Sequence, residues 1–124
     1  MLIVLQTGSG LFVDFDRHLT SSARLSIVAA LVNNDRLSFT ELKARTGLAD
    51  GNLHIQTKKL EEHGYLIKTK APRGGRSVTF FHLSTEGLGA FELHIRKLQR
   101  ILDARVTLPM PVSRVEYQDA SRVW

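Results

Sequence analysis

SFTELKARTGLADGNLHIQTKKLEEHG, running from Ser38 to Gly64, holds two helix starts and two helix stops in one short stretch. Ser38 with Glu41 three residues on is an S-x-x-E capping box, in which each side chain satisfies the other residue's backbone N–H. Phe39 and Leu42 give this helix its apolar side, and Gly47 supplies the left-handed residue that ends it. Leu48 then plugs inward, and Asp50 is placed to cap the next helix. On a helical wheel that helix, about residues 50–63, gathers Leu53, Thr57 and Leu60 on one face with Gln56 beside it. The opposite face carries Gly51, Ile55, Lys58 and Glu62, flanked by Asn52, His54 and Lys59. Thr57 is a thin spot on the inner face, where Leu or Ala would be the better fit. Gly64 ends the helix.

Downstream, residues 66–71 alternate Leu66, Lys68 and Lys70 with Ile67, Thr69 and Ala71, and residues 78–83 (VTFFHL) are rich in β-branched and aromatic side chains. Between them Pro72-Arg73-Gly74-Gly75-Arg76 reads as a turn, so the two runs form a hairpin with an arginine on each side of its glycines. Ser84 caps a last helix in which Leu88, Phe91, Ile95, Leu98 and Leu102 step 3-4-3-4, the spacing of a helix-pairing seam. Upstream, Ser21 or Ser22 caps a helix to about Asn33, with Leu25, Val28, Ala29 and Val32 as its stripe and Ile27 and Leu31 widening it. A one- or two-turn helix is expected over residues 14–19. The layout is α+β and mainly helical: a winged helix-turn-helix with a three-helix core, a two-stranded β-hairpin wing and a long C-terminal helix. Residues 1–13 read as an N-terminal extension, 14–105 as the domain with its dimerisation helix, and 106–124, with two prolines and no periodicity, as an extended or mobile tail.

Composition narrows the function classes. The 124 residues suffice for one small domain. There is no cysteine, which removes disulfides and thiolate metal sites. Seventeen Lys and Arg against twelve Asp and Glu give a net charge of +5, the electrostatic footprint of a nucleic-acid binder. No apolar run reaches the ~18–20 residues of a membrane span, and the first ten residues lack the basic start of a signal peptide. The expected location is the cytoplasm. The five histidines, His18, His54, His63, His82 and His94, form no i, i+4 pair and no H-E-x-x-H, so no metal is expected. No G-x-S-x-G, P-loop or paired carboxylates mark an enzyme, and no cofactor is expected.

A helix fits the major groove of duplex DNA, and its N-terminal half reaches the base edges. In that reading Asn52 pairs with adenine, His54 donates or accepts, and Ile55 meets a thymine methyl. Lys58 and Lys59 lie a turn further on, toward a phosphate. Thr40, near the start of the preceding helix, anchors the backbone. Arg73 and Arg76 have the length to enter a minor groove from the hairpin tip, with Gly74, Gly75 and the strand residue Lys70 completing the contact set alongside Asp50 and Gly51. The competing reading makes Lys58, Lys59, Glu61 and Glu62 a solvated helix face. The seam of the last helix has two readings as well: packing on the first helix, or a dimer interface that sets two reading helices one DNA turn apart.

At LSFTELKARTGLADGNLHIQTKKLEEHGYL the chain resembles winged helix transcriptional regulators of the MarR/ArsR type. It is similar at Asp50-Gly51-Asn52-Leu53, at Lys59–Tyr65 (KLEEHGY) and at Leu83–Gly87 (LSTEG). The resemblance implies a cytoplasmic homodimer that binds double-stranded DNA, with residues 50–59 in the major groove and residues 73–76 as the wing tip. It leaves the small-molecule effector open, and places Ala49 where such proteins often carry a capping Thr or Ser. The alternative function is a winged helix module for protein–protein or RNA contact without operator binding.

Overall fold

Ser21 is the N-cap of α1 (Ser22–Val32), its hydroxyl accepting the Arg24 N–H at 3.2 Å. This is seen in the computed structural model, which describes residues 13–106. The expected N-terminal extension, save its last residue, and the expected tail, save its first, lie outside the described residues. Ile27, Val28 and Leu31 form the buried face of α1, with Leu25 and Val32 at its edges. No helix forms over residues 14–19. The Asp16 carboxylate accepts the His18 N–H at 2.8 Å and the Asp16 carbonyl accepts the Leu19 N–H at 2.9 Å. A short acidic side chain that bonds its own backbone offers the chain a turn in place of a helix.

The capping box at Ser38 is complete: its hydroxyl accepts the Glu41 N–H at 3.1 Å, and the Glu41 carboxylate accepts the Ser38 N–H at 2.9 Å. It opens α2 (Phe39–Thr46), which Gly47 ends in the left-handed conformation. The next helix, α3 (Asp50–Glu62), leads into β2 (Leu66–Arg73) and β3 (Arg76–Leu83). The hairpin is the expected wing, and a short strand joins it. β1 (Leu37–Ser38) pairs antiparallel with β3, Leu37 opposite Phe81 and Ser38 opposite Phe80, giving the order β1-β3-β2. Two residues carry no period of their own, so only the nonlocal pairing reveals β1. Pro72 lies within β2, an edge strand, where a residue without an N–H is tolerated.

The core is one cluster in which Leu19, Ile27, Leu31, Leu42, Leu53, Leu60, Leu66 and Phe81 meet. The last helix, α4 (Thr85–Val106), starts at a crowded junction. The Ser84 hydroxyl donates to the Gly64 carbonyl at 2.5 Å and accepts the Gly87 N–H at 3.0 Å. A Cβ on Gly87 would run into the Tyr65 carbonyl oxygen. Glycine at that position lets α4 begin directly against the chain leaving α3. The chain divides within α4 into two units, Met1–His94 and Ile95–Trp124. The first holds the core and sheet; the described part of the second is the remainder of the helix.

Candidate functional site

Ala49, not Asp50, is the N-cap of α3, and no side chain caps the helix. Asp50 is its first residue and pairs with Lys43 of α2 at 2.8 Å, which corrects the expected cap. Its carboxylate still sits favourably at the positive end of the helix dipole. Leu53, Thr57 and Leu60 form the buried side, as the wheel places them. Thr57 is not a weak point, because its hydroxyl donates to the Leu53 carbonyl at 2.8 Å and so enters the core satisfied. Gly51, Asn52, His54, Ile55, Lys58 and Lys59 are all exposed. Ile55 keeps 53% of its surface in solvent, a high fraction for an isoleucine.

The exposed side of α3 faces the wing across a groove of about 610 Å³. Of the expected contact residues, Thr40, His54, Ile55, Lys58 and Arg76 line it together. Phe39, Lys68, Ser77 and Thr79 line it too, and sequence reasoning did not select them; the parity of Lys68 along β2 was the available signal. The His54 ring stacks on Phe39, centroids 4.5 Å apart, so the imidazole is held at the rim of the groove by α2. Lys58 lies 3.7 Å from Glu62 and Lys68 4.0 Å from Glu61, both solvent-exposed pairs. Such pairs are weak and leave the cations available to a phosphate.

The hairpin turns on Gly74 and Gly75 alone, with Arg73 opposite Arg76. Their φ values of 61° and 77° are those of a type I′ turn, which matches the twist of the strands and favours glycine, with asparagine or aspartate as the other residues that fit. The two arginines have different surroundings. Arg73 folds back, donating to Glu41 at 3.0 Å, with its guanidinium 4.7 Å from the centre of the Phe80 ring. Arg36 lies over the same ring at 3.9 Å. The Ser38 N–H and Arg73 together hold the Glu41 carboxyl below its ordinary value. Arg76 lines the groove. Lys70, Gly74 and Gly75 are exposed on the hairpin without lining that groove.

On the other flank of α3, Arg17, His18, Arg24, Lys59, Glu62 and His63 surround a second depression of about 410 Å³. The His18 and His63 rings stack with centroids 3.5 Å apart. Burial and the neighbouring His63 push the His18 imidazole below its ordinary value, outweighing the attraction of Asp16. Beside it the Tyr65 hydroxyl donates to the Asp16 carboxylate. Burial, then that hydrogen bond and charge, raise the Tyr65 phenol to about 12. Burial tends to raise Asp16, but the bonds from Tyr65 and the His18 N–H bring it below the usual carboxylate value. Arg24 is held at two points, donating through Nε to the His18 carbonyl at 2.9 Å and through Nη1 to Gln56 Oε1 at 2.7 Å. Gln56 Nε2 in turn donates to Asn52 Oδ1 at 2.9 Å.

Along α4 the expected seam is split. Phe91 packs against the core cluster. Leu88, Ile95, Leu98 and Leu102 are each at least 40% exposed, as is Leu93, which lies off the seam. Among the described residues no group of three His, Asp or Glu side chains is placed to hold a metal ion, and no helix is long and apolar enough to cross a membrane.

Residues 23–102 match the family model described as a winged helix DNA-binding domain. A protein of Methanocaldococcus jannaschii, the uncharacterized MJ0432, is 33% identical over 81 residues, which cover 65% of this chain and 88% of that one. Among solved structures, a transcriptional regulator homologue from Pyrococcus horikoshii superposes with a TM-score of 0.65 at 22% identity, covering 70% of this chain and 86% of that one. A mutant MarR from E. coli complexed with operator DNA superposes with a TM-score of 0.59 at 18% identity, covering 82% and 74%.

Proposed function

Because the chain belongs to the winged helix DNA-binding domain family, we propose that it is a homodimeric transcriptional regulator binding duplex DNA. In this reading α3 enters the major groove and the wing follows the backbone or the minor groove beside it. One observation carries the reading: the exposed side of α3 and the wing face a single groove, lined by Thr40, Ile55, Lys58, Lys68 and Arg76. Cations on both walls of the groove, Lys58 on one and Lys68 and Arg76 on the other, fit a phosphate strand flanking an inserted helix. The net charge of +5 supports the same partner. The superposition with a MarR bound to operator DNA supports this mode of docking for the fold. A regulator of this kind works in the cytoplasm, beside the chromosome. The row of exposed apolar residues on α4 supports pairing through that helix.

Selection of bound duplexes from a random library tests the proposal. The expected outcome is an enriched site with two half-sites about one helical turn, or a multiple of it, apart. Within it Arg76→Ala weakens binding to most sequences alike, while Asn52→Ala changes the preference among them. No detectable binding to any duplex at low salt overturns the reading.

A further inference from the structure

The hydrogen-bond chain from Arg24 through Gln56 to Asn52 has a direction that chemistry fixes. A guanidinium carries only donors, so the atom of Gln56 that meets Arg24 Nη1 at 2.7 Å must be its amide oxygen. The Gln56 amide nitrogen is thereby the end that faces Asn52, and a nitrogen that donates must meet an oxygen, here Asn52 Oδ1 at 2.9 Å. Arg24 is not free to release the chain, since its Nε is tied to the His18 carbonyl at 2.9 Å. Asn52 lies in the first turn of α3 and is exposed, on the half of the helix that docks deepest in the proposed complex.

We infer that Arg24, from α1, is a positioning residue for base recognition, holding the Asn52 amide so that it presents N–H donors to the DNA. The inference rests on the DNA-binding reading above and refines it. An asparagine with both amide ends free pairs with adenine, accepting from N6 and donating to N7. Here Gln56 engages one of the oxygen's two lone pairs and turns that oxygen along the helix toward position 56, which leaves the Nδ2 hydrogens, with no acceptor among the described residues, as the outward end. A reader whose outward end is its donors matches an edge of acceptors. Guanine, with N7 and O6, presents such an edge in the major groove, and adenine does not. The Asn52 position is therefore expected to prefer guanine over the adenine that an unconstrained asparagine would choose. Arg24 acts here through two intervening side chains and touches no base itself.

The test repeats the random-duplex selection with the full chain and three variants. Arg24→Met removes the donor, Gln56→Leu cuts the chain while leaving Arg24 in place, and Arg24→Lys retains a donor-only partner for Gln56. Wild type should enrich guanine at one position per half-site, identified as the position whose preference Asn52→Ala abolishes. Arg24→Met and Gln56→Leu should each shift that position toward adenine by about tenfold, with Arg24→Lys keeping guanine. Circular dichroism melts separate a change in reading from a loss of fold, and Gln56→Leu carries the test if Arg24→Met does not fold. Folded variants that bind with the wild-type preference at every position overturn the inference and leave the DNA-binding reading standing. Adenine at the Asn52 position in wild type also overturns it. Failure of wild type to select any duplex overturns both.

Discussion

Tyr65 and Asp16 show how far a single hydrogen bond reaches at the scale of residues. The phenol is raised to about 12 by burial first and by the Asp16 carboxylate second. Its folded value lies above its unfolded value of ~10, so the stability it contributes is complete below pH ~10 and is lost as pH climbs toward 12. Asp16 is lowered, so its contribution is present above its unfolded value of ~3.9 and is lost as pH falls through the folded one. Asp16→Asn should bring the Tyr65 titration part of the way back toward ~10, the remainder being held by burial. Absorbance titration against a Tyr65→Phe control measures this, and an unmoved titration would mean that the pair does not form in solution. His18 follows a third pattern. Its lowered imidazole value means that the folded protein resists protonation, so stability falls as pH drops below ~6.5.

Among the elements, the wing is tied to α2 through Glu41. One of its carboxylate oxygens completes the capping box, and the other holds Arg73 at 3.0 Å. Glu41→Gln separates these roles, because glutamine also serves in a capping box while it has no charge to hold a guanidinium. In the proposed complex the freed Arg73 gains a phosphate, so the slope of log K against log salt should steepen by about 0.9. The folded state should lose at most about 1 kcal/mol, since the ion pair is half exposed. An unchanged slope would show that Glu41 does not withhold Arg73 from DNA. The starts and stops of these elements were legible in the sequence because they are local: Ser38 with Glu41, Gly47, and two glycines in a turn. What was not legible is carried across the chain. Arg73 meets Glu41, and Arg24 meets Gln56, each over 32 positions. Neither pairing leaves a trace in periodicity, and β1 is visible only once β3 lies beside it. Asp50 misled because capping depends on φ and ψ one residue earlier, at Ala49, which has no side chain to do the work.

For the molecule as a whole, assembly is the open variable that α4 presents. Single exposed apolar residues are ordinary, but Leu88, Ile95, Leu98 and Leu102 share one stripe along a helix that is otherwise well supplied with charge. Pairing of two such helices would bury this row. Light scattering at tens of micromolar should give twice 13.9 kDa for the wild-type chain, and Leu98→Glu should return it to the mass of one chain with its thermal transition retained. A wild-type mass of one chain would remove the dimer from the proposal. The 3-4 spacing made the seam legible, yet could not show that Phe91 turns to the core, because a spacing assigns residues to a stripe and not to one of two partners on its borders.

The hairpin tip has a consequence for how this protein can change over generations. Its strands pair residue for residue from Leu66 with Leu83 to Arg73 with Arg76, and the turn between them holds two glycines and nothing else. Side chains alternate faces with a period of two. Losing or gaining one residue in one strand would therefore turn Phe81 out of the core or carry Arg76 away from the groove. Paired insertions, one on each strand, keep the cross-strand register, and two on each strand also keep the tip residues on their faces. The wing can lengthen or shorten in matched steps, so related chains should differ there by even numbers of residues.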